Sequence, residues 1–321
     1  MLGTFPPWSG NPVLRPTGDG WQSGYVYNPA AVVHDDRVVL LYRAHTDDKV
    51  SRLGYASSED GLHFVMEDEP VLAPTEDYES HGCEDPRLTY VDGTYYLTYT
   101  GFTGTTALLC LATSTDLRSW TKHGPLFPEL DTWKTMAWAV EYRGSKPHNK
   151  AGGIVPVQVG GLWHMYVGEG AIYHATSPDL LTWTVGEAPI LEGRPGTWDE
   201  HLIEVGAPPV VVDDQLVMLV NGARIMSIEQ RLVDYRCGMV AFALDDPARV
   251  VARTDEPFLQ PTTPEEKAGL VPNVTFVEGL VRFRDQWLAY YGQSDTTTGV
   301  ALSQWGLRPP RAGAGGGSGH C

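Results

Sequence analysis

The sequence predicts an all-β chain, folded as a five-bladed β-propeller, on three observations. Three segments repeat one another: LGYASSEDGLHF (53–64), LCLATSTDLRSW (109–120) and IYHATSPDLLTW (172–183) share Ala-(Ser/Thr)-Ser-x-Asp-(Gly/Leu) followed by an aromatic. Each comes after a strand-like run, RVVLLYRA (37–44), TYYLTYTG (94–101) or LWHMYVGE (162–169). Two weaker copies follow, QLVMLVNGA (215–223) before CGMVAFALDDP and QWLAYYGQSD (286–295) before GVALSQW. One further strand precedes every run: NPAAVVHDD, DPRLTYVDG, GGIVPVQVGG, GAPPVVVDD and NVTFVEGLVRFRD. Five units at a period of roughly 55–70 residues, each with three visible strands and room for a fourth, are the signature of a propeller. A pair of β-sandwiches would not require that period.

The elements follow in order. In DPRLTYVDGTYYLTYTG, apolar and aromatic residues alternate around Asp92-Gly93, a hairpin turn. The Ser-x-Asp repeats are expected to be structural turns, with both side chains folded back on the backbone. Residues 1–310 are expected to form one catalytic domain, and the glycine-rich 311–321 a flexible tail. The 35 glycines and 24 prolines suit a chain with many turns.

Bulk properties exclude several functions. A net charge of −17 disfavours nucleic acid and anionic membranes as partners. No apolar run spans a bilayer and no signal peptide is visible, so a cytoplasmic protein is expected. The four cysteines (83, 110, 237, 321) have neither zinc nor disulfide spacing. His81, His148, His174 and His201 match no metal motif, so no metal or cofactor is expected.

In a propeller the innermost strands line a channel, and their polar ends ring one mouth. Here the first strands bring Asn28, Glu84, Asp85, Asn149, Lys150, Glu204 and Asn273. The returning strands bring Arg43, Thr100–Phe102, Glu169, Asn221 and Asp295. Such a ring suits sugar cleavage, which needs an acid for the leaving oxygen and a nucleophile on the opposite face. Glu84 and Arg87 are expected to support the loop around Asp85, as an ion pair or as a cap. Trp133, Trp138 and Trp198 are candidates for stacking a sugar or for core packing.

The stretches YNPAAVV…LLYRA, GCEDPRL…YYLTYTG, NKAGGIVP, ATSPDLLTW, WDEHLIEVGAPPV, VPNVTFVEGLV and YYGQSDTTTGVA resemble glycoside hydrolase family 130, the β-mannoside phosphorylases and β-mannosidases, from about Asn28 to Gly299. The resemblance also implies a five-bladed propeller. It implies inversion at a β-mannosidic bond, with Asp85 as general acid acting through the mannose 3-hydroxyl. It implies that Asn28 and Asp295 hold mannose hydroxyls, and that Tyr235 corresponds to a phosphate contact.

The departures from that pattern are acidic. Where the phosphorylases carry a phosphate-binding lysine before Pro-Pro, this chain has Glu204 in IEVGAPP. Asn221 stands for a histidine and Glu169, in MYVGEG, for an arginine, while Arg43 and Lys150 remain. Two unit charges 4 Å apart at an effective dielectric near 20 interact by about 4 kcal/mol, enough to repel phosphate. The same carboxylates suit the activation of water, as in the hydrolytic branch that cleaves β-1,2-mannosides. The expectation is therefore an inverting β-mannosidase acting on a mannose-containing oligosaccharide, with Glu169 and Glu204 activating water. A phosphorylase with an unusual phosphate site, a non-catalytic sugar-binding propeller, and an arabinanase or fructosidase are the alternatives.

Overall fold

A computed structural model describes residues 1–135, 147–227, 229 and 232–304. Trp138 and the 311–321 tail lie outside these residues. The chain is all-β. The first sheet is β1 (Tyr25–His34), β2 (Arg37–His45), β3 (Arg52–Ser58) and β4 (Val65–Met66). The second is β5 (Gly82–Val91), β6 (Thr94–Phe102), β7 (Ala107–Ser114) and β8 (Thr121–Pro125). In both, successive strands pair antiparallel in chain order.

The next two repeats join into one sheet. β9 (Gly152–Ile154), β10 (Trp163–Val167) and β11 (Glu169–Ser177) form one part, with β12 (Thr184–Val185) and β13 (Leu191–Glu192) on β11. β14 (Leu202–Val205), β15 (Val210–Val212), β16 (Gln215–Ser227), β17 (Leu232–Ala243) and β18 (Val250–Arg253) form the other. The link is a short pairing of β11 with β14, Glu169 opposite Glu204. The last sheet is β19 (Thr275–Phe283), β20 (Gln286–Gln293) and β21 (Thr297–Gln304). The chain's start returns to it: Pro7 bridges Ala301 and Leu14 bridges Thr298.

The strands read as continuous apolar runs because both faces are buried. Along β2, Val39 and Leu41 face a core shared with Leu97 and Tyr99 of the second sheet. Val38, Leu40 and Tyr42 face a core shared with Leu288 and Tyr290 of the last sheet. Other cores lie between the second sheet and β10–β11, between β10–β11 and β16–β17, and between β16–β17 and β19–β20. Each core thus lies between one repeat and the next, and one joins the last repeat to the first.

The Ser-x-Asp segments are turns. Ser58, Ser114 and Ser177 donate to Asp60, Asp116 and Asp179, whose Oδ1 atoms accept backbone N–H groups just downstream. Asp92 and Gly93 take positive φ values of 46° and 85°, as a hairpin turn requires. Cys83, Cys110 and Cys237 are buried free thiols.

Candidate active site

Three inner strands carry a bulge, and each bulge aims a polar side chain at a common centre. The register slips between Tyr27 and Pro29 in β1, between Glu84 and Arg87 in β5, and between Val277 and Gly279 in β19. The side chains at these slips are Asn28, Asp85 and Glu278. A bulge re-aims a residue that regular pleating would bury in a sheet interface. Asn28 and Asp85 sit at φ of 48° and 50°, a region that Asn and Asp tolerate better than most residues. Glu84 and Asp85, expected at the polar end of a strand, therefore lie inside β5, at its bulge.

Asp85 is gripped from several sides. Asn28 Nδ2 donates to its Oδ1 at 2.9 Å, and Arg43 Nη1 does so at 3.0 Å. Lys150 Nζ lies 3.6 Å from its Oδ2. Burial pushes the carboxyl up, but Arg43, Lys150, Arg87 and the Asn28 amide outweigh this and hold Asp85 well below the usual carboxylate range. Arg43 also donates to Glu84 Oε1 at 2.6 Å and to Ser51 Oγ at 2.9 Å, and Ser51 donates on to Glu84.

The expected Glu84–Arg87 pair is not formed. Arg87 turns to the other side of β5, where it is fully buried. It donates to the carbonyls of Asp85, Val205 and Gly206, and to Glu204 Oε1 at 3.4 Å. Its Nη1 also lies 3.0 Å from Glu278 Oε1. The reason is geometric: the bulge puts Asp85 between Glu84 and Arg87, and Arg43 arrives from β2 to satisfy Glu84.

Glu169 and Glu204 come together across the β11–β14 pairing. Gly168, at φ 138°, makes the sharp turn that starts β11, and a Cβ there would lie 2.0 Å from Ala171 O. Lys150 Nζ stands 3.4 Å from Glu169 Oε1 and 3.9 Å from Glu204 Oε1. Trp133 Nε1 donates to Glu169 Oε2 at 2.5 Å. Glu204 is fully buried, and its Oε2 has no hydrogen-bond partner among the described residues. Burial lifts the Glu204 carboxyl to about 8, with Lys150 opposing and Glu169 adding to the rise. Lys150 is held charged despite burial, chiefly by Glu169, Glu204 and Asp85.

The remaining expected residues divide. Asp295 faces Arg43 and Asp85, and burial lifts it to about 6 against the pull of Arg43. Tyr235 feels Glu169 and Glu204, and with burial they push its hydroxyl well above the usual range. Asn221, expected to touch substrate, is a strand clamp: it donates to Val277 O at 3.0 Å and accepts from Val277 N at 2.8 Å. Asn149 rivets the 127–130 loop to β7. Asn273 is half-buried, and its carbonyl accepts from Tyr235 N. Trp198 is buried in the core between β10–β11 and β16–β17.

Glu278 was not among the sequence candidates. It is fully buried, and neither carboxylate oxygen accepts an aligned hydrogen bond from a described residue. Burial raises it well above the carboxylate range, with Arg87 opposing and Asp85 and Glu204 adding to the rise. An acid in the middle of the apolar run VTFVEGLVRF was the available signal.

The family model described as beta-1,4-mannooligosaccharide phosphorylase, of glycoside hydrolase family 130, matches residues 15–306. The chain belongs to glycoside hydrolase family 130. A 1,2-beta-oligomannan phosphorylase of Thermoanaerobacter sp. is 34% identical over 307 residues, 92% of this chain and 95% of that protein. A family 130 structure from work on glycoside hydrolases that target beta-1,2 mannosidic linkages in Candida mannan is 34% identical. It has a TM-score of 0.83 and covers 94% of each chain. A glycosyl hydrolase from Bacteroides ovatus is 33% identical, again with a TM-score of 0.83 and 94% of each chain covered.

Proposed function

We propose that this family 130 chain hydrolyses β-1,2-mannosidic bonds with inversion, Asp85 serving as acid and Glu204 as the base that activates water. The carrying observation is the pair Glu169 and Glu204, set opposite each other around Lys150. The described cations of the site are already committed to carboxyls: Arg43 to Glu84 and Asp85, Arg87 to Glu204 and Glu278, Lys150 to Asp85, Glu169 and Glu204. A phosphate dianion entering there would meet more acid than base.

The two glutamates play different parts. Both oxygens of Glu169 have partners, Lys150 and Trp133. Glu204 has a buried oxygen without one among the described residues; once its resting proton has left, that carboxylate is placed to take a proton from water. Lys150 Nζ is 3.6 Å from Asp85 and 3.9 Å from Glu204, which bounds the separation of those carboxyls. The bound is compatible with the roughly 6.5–9.5 Å spacing of inverting glycosidases. Asp85 is ionised before substrate enters. Mannose hydroxyls inserted among Arg43, Lys150 and Asp85 loosen that grip, so that the proton resting on Glu204 moves to Asp85; Asp85 then passes it through the 3-hydroxyl to the leaving oxygen, while the Glu204 carboxylate takes a proton from the attacking water. Asn28 and Asp295 hold the same sugar.

A five-bladed propeller, residues 1–310, is the architecture this reading uses. Its support is the chain of cores between consecutive repeats, and the return of Pro7 and Leu14 to β21.

The second reading is phosphorolysis, releasing mannose 1-phosphate. The names of the curated relatives favour it over hydrolysis: beside the oligomannan phosphorylase stands a beta-1,2-mannobiose phosphorylase of Thermoanaerobacter sp., 32% identical over 318 residues. Cleavage of β-1,2-mannobiose in oxygen-18 water separates the readings. Hydrolysis puts the label at C1 of newly released α-mannose; phosphorolysis leaves it out.

A further inference from the structure

Trp133 belongs to a short 3-10 turn, Thr132–Thr135, tied down where Thr132 N donates to His148 O at 2.9 Å. Its indole stacks on the His148 ring, with centroids 4.7 Å apart and planes 11° from parallel. It packs against Leu202 and Ala223, as Tyr235 does. A ring packed in this way is poorly placed to serve as a sugar platform. Its edge, however, is aimed: Nε1 donates to Glu169 Oε2 at 2.5 Å, while Lys150 holds Oε1 at 3.4 Å. A carboxylate held on both oxygens cannot swing toward Lys150 alone or toward its neighbours Glu204 and Tyr235.

We propose that Trp133 is a positioning residue: its indole N–H fixes the Glu169 carboxylate so that Glu169 and Lys150 together orient the group attacking the sugar. The inference rests on the hydrolytic reading for the identity of that group, water. The holding of Glu169 is a separate matter, and it is tested separately. A bidentate hold on a charged side chain confers orientation, and orientation acts on turnover more than on binding.

The test is Trp133→Phe, which keeps an aromatic ring against His148 and removes the N–H. A second variant carries benzothienylalanine at position 133, which keeps the bicyclic shape and removes only the donor. Both are assayed on β-1,2-mannobiose, with and without phosphate. The expected result is that both lower kcat about tenfold and leave KM within about twofold. A wild-type kcat in the benzothienyl variant overturns the inference, because shape then does the work and not the donor. A loss carried by KM also overturns it, because Trp133 then meets the sugar. A phosphate requirement in the wild-type enzyme sinks the hydrolytic reading, and the kcat comparison still decides whether Trp133 holds Glu169.

Discussion

Glu169 and Glu204 face each other across the β11–β14 pairing, with the Lys150 ammonium 3.4 Å from one and 3.9 Å from the other. Arg87 Nη2 also lies 3.4 Å from Glu204 Oε1, but Glu204 Oε2 has no hydrogen-bond partner among the described residues, whereas Lys150 and Trp133 hold both oxygens of Glu169. The proposed division of roles rests on that asymmetry.

Glu204→Gln is expected to lower kcat by about 1,000-fold or more, the scale of losing a general base, with KM little changed. Glu169→Gln keeps an acceptor for Trp133 and is expected to cost about 10- to 100-fold. Steady-state kinetics on β-1,2-mannobiose check the order. Glu169→Gln proving the more damaging would exchange the two roles.

Asp85→Asn removes the proposed acid and keeps an oxygen for Asn28 and Arg43. A fall in kcat of about 1,000-fold or more is expected on a substrate with a poor leaving group. An aryl mannoside, whose leaving group needs little protonation, should suffer much less. Equal losses on both substrates would remove Asp85 from the acid role.

Stability should depend on pH through Glu204. Its folded-state value, about 8, lies above the ordinary glutamate range. Between the two the folded chain keeps a proton that the unfolded chain has released, so this group's stabilising contribution is lost as pH rises toward 8. Glu204→Gln cannot ionise. Its melting temperature should therefore gain on the wild type steadily from pH 5 to pH 8. Parallel melting curves across that range would contradict the account.

Much of this was legible in the sequence because it repeats. The Ser-x-Asp turns mark successive hairpins, and Asp92-Gly93 makes the turn its side chains favour. Asp85, Arg43 and Asn28 were singled out from the sequence, and the structure brings the Arg43 and Asn28 side chains within hydrogen-bonding distance of Asp85. Three features were not legible. Arg87 was assigned to Glu84, because chain proximity does not show that a bulge separates them. Asn221 has the polarity of a substrate ligand, but Val277, 56 residues away, occupies its amide. Glu278 hides in an apolar strand, and only the bulge shared with β1 and β5 reveals it as a site residue.

Arg87 follows from that correction. It is the buried guanidinium shared by Glu204 and Glu278, and it also ties β5 to the Val205 and Gly206 carbonyls. Arg87→Met should destabilise the chain by about 3–5 kcal/mol, the cost of stranding buried charge. Adding Glu278→Gln should recover part of it in denaturant titrations. A double variant no more stable than the single would refute the Arg87–Glu278 pairing.

The most direct measurement follows the products from β-1,2-mannobiose with and without inorganic phosphate. Free mannose, released at the same rate in both and with no mannose 1-phosphate, is the result that Glu169 and Glu204 predict. Mannose 1-phosphate formed only when phosphate is present would contradict them, and would make Arg43, Lys150 and Tyr235 the residues to examine as phosphate ligands.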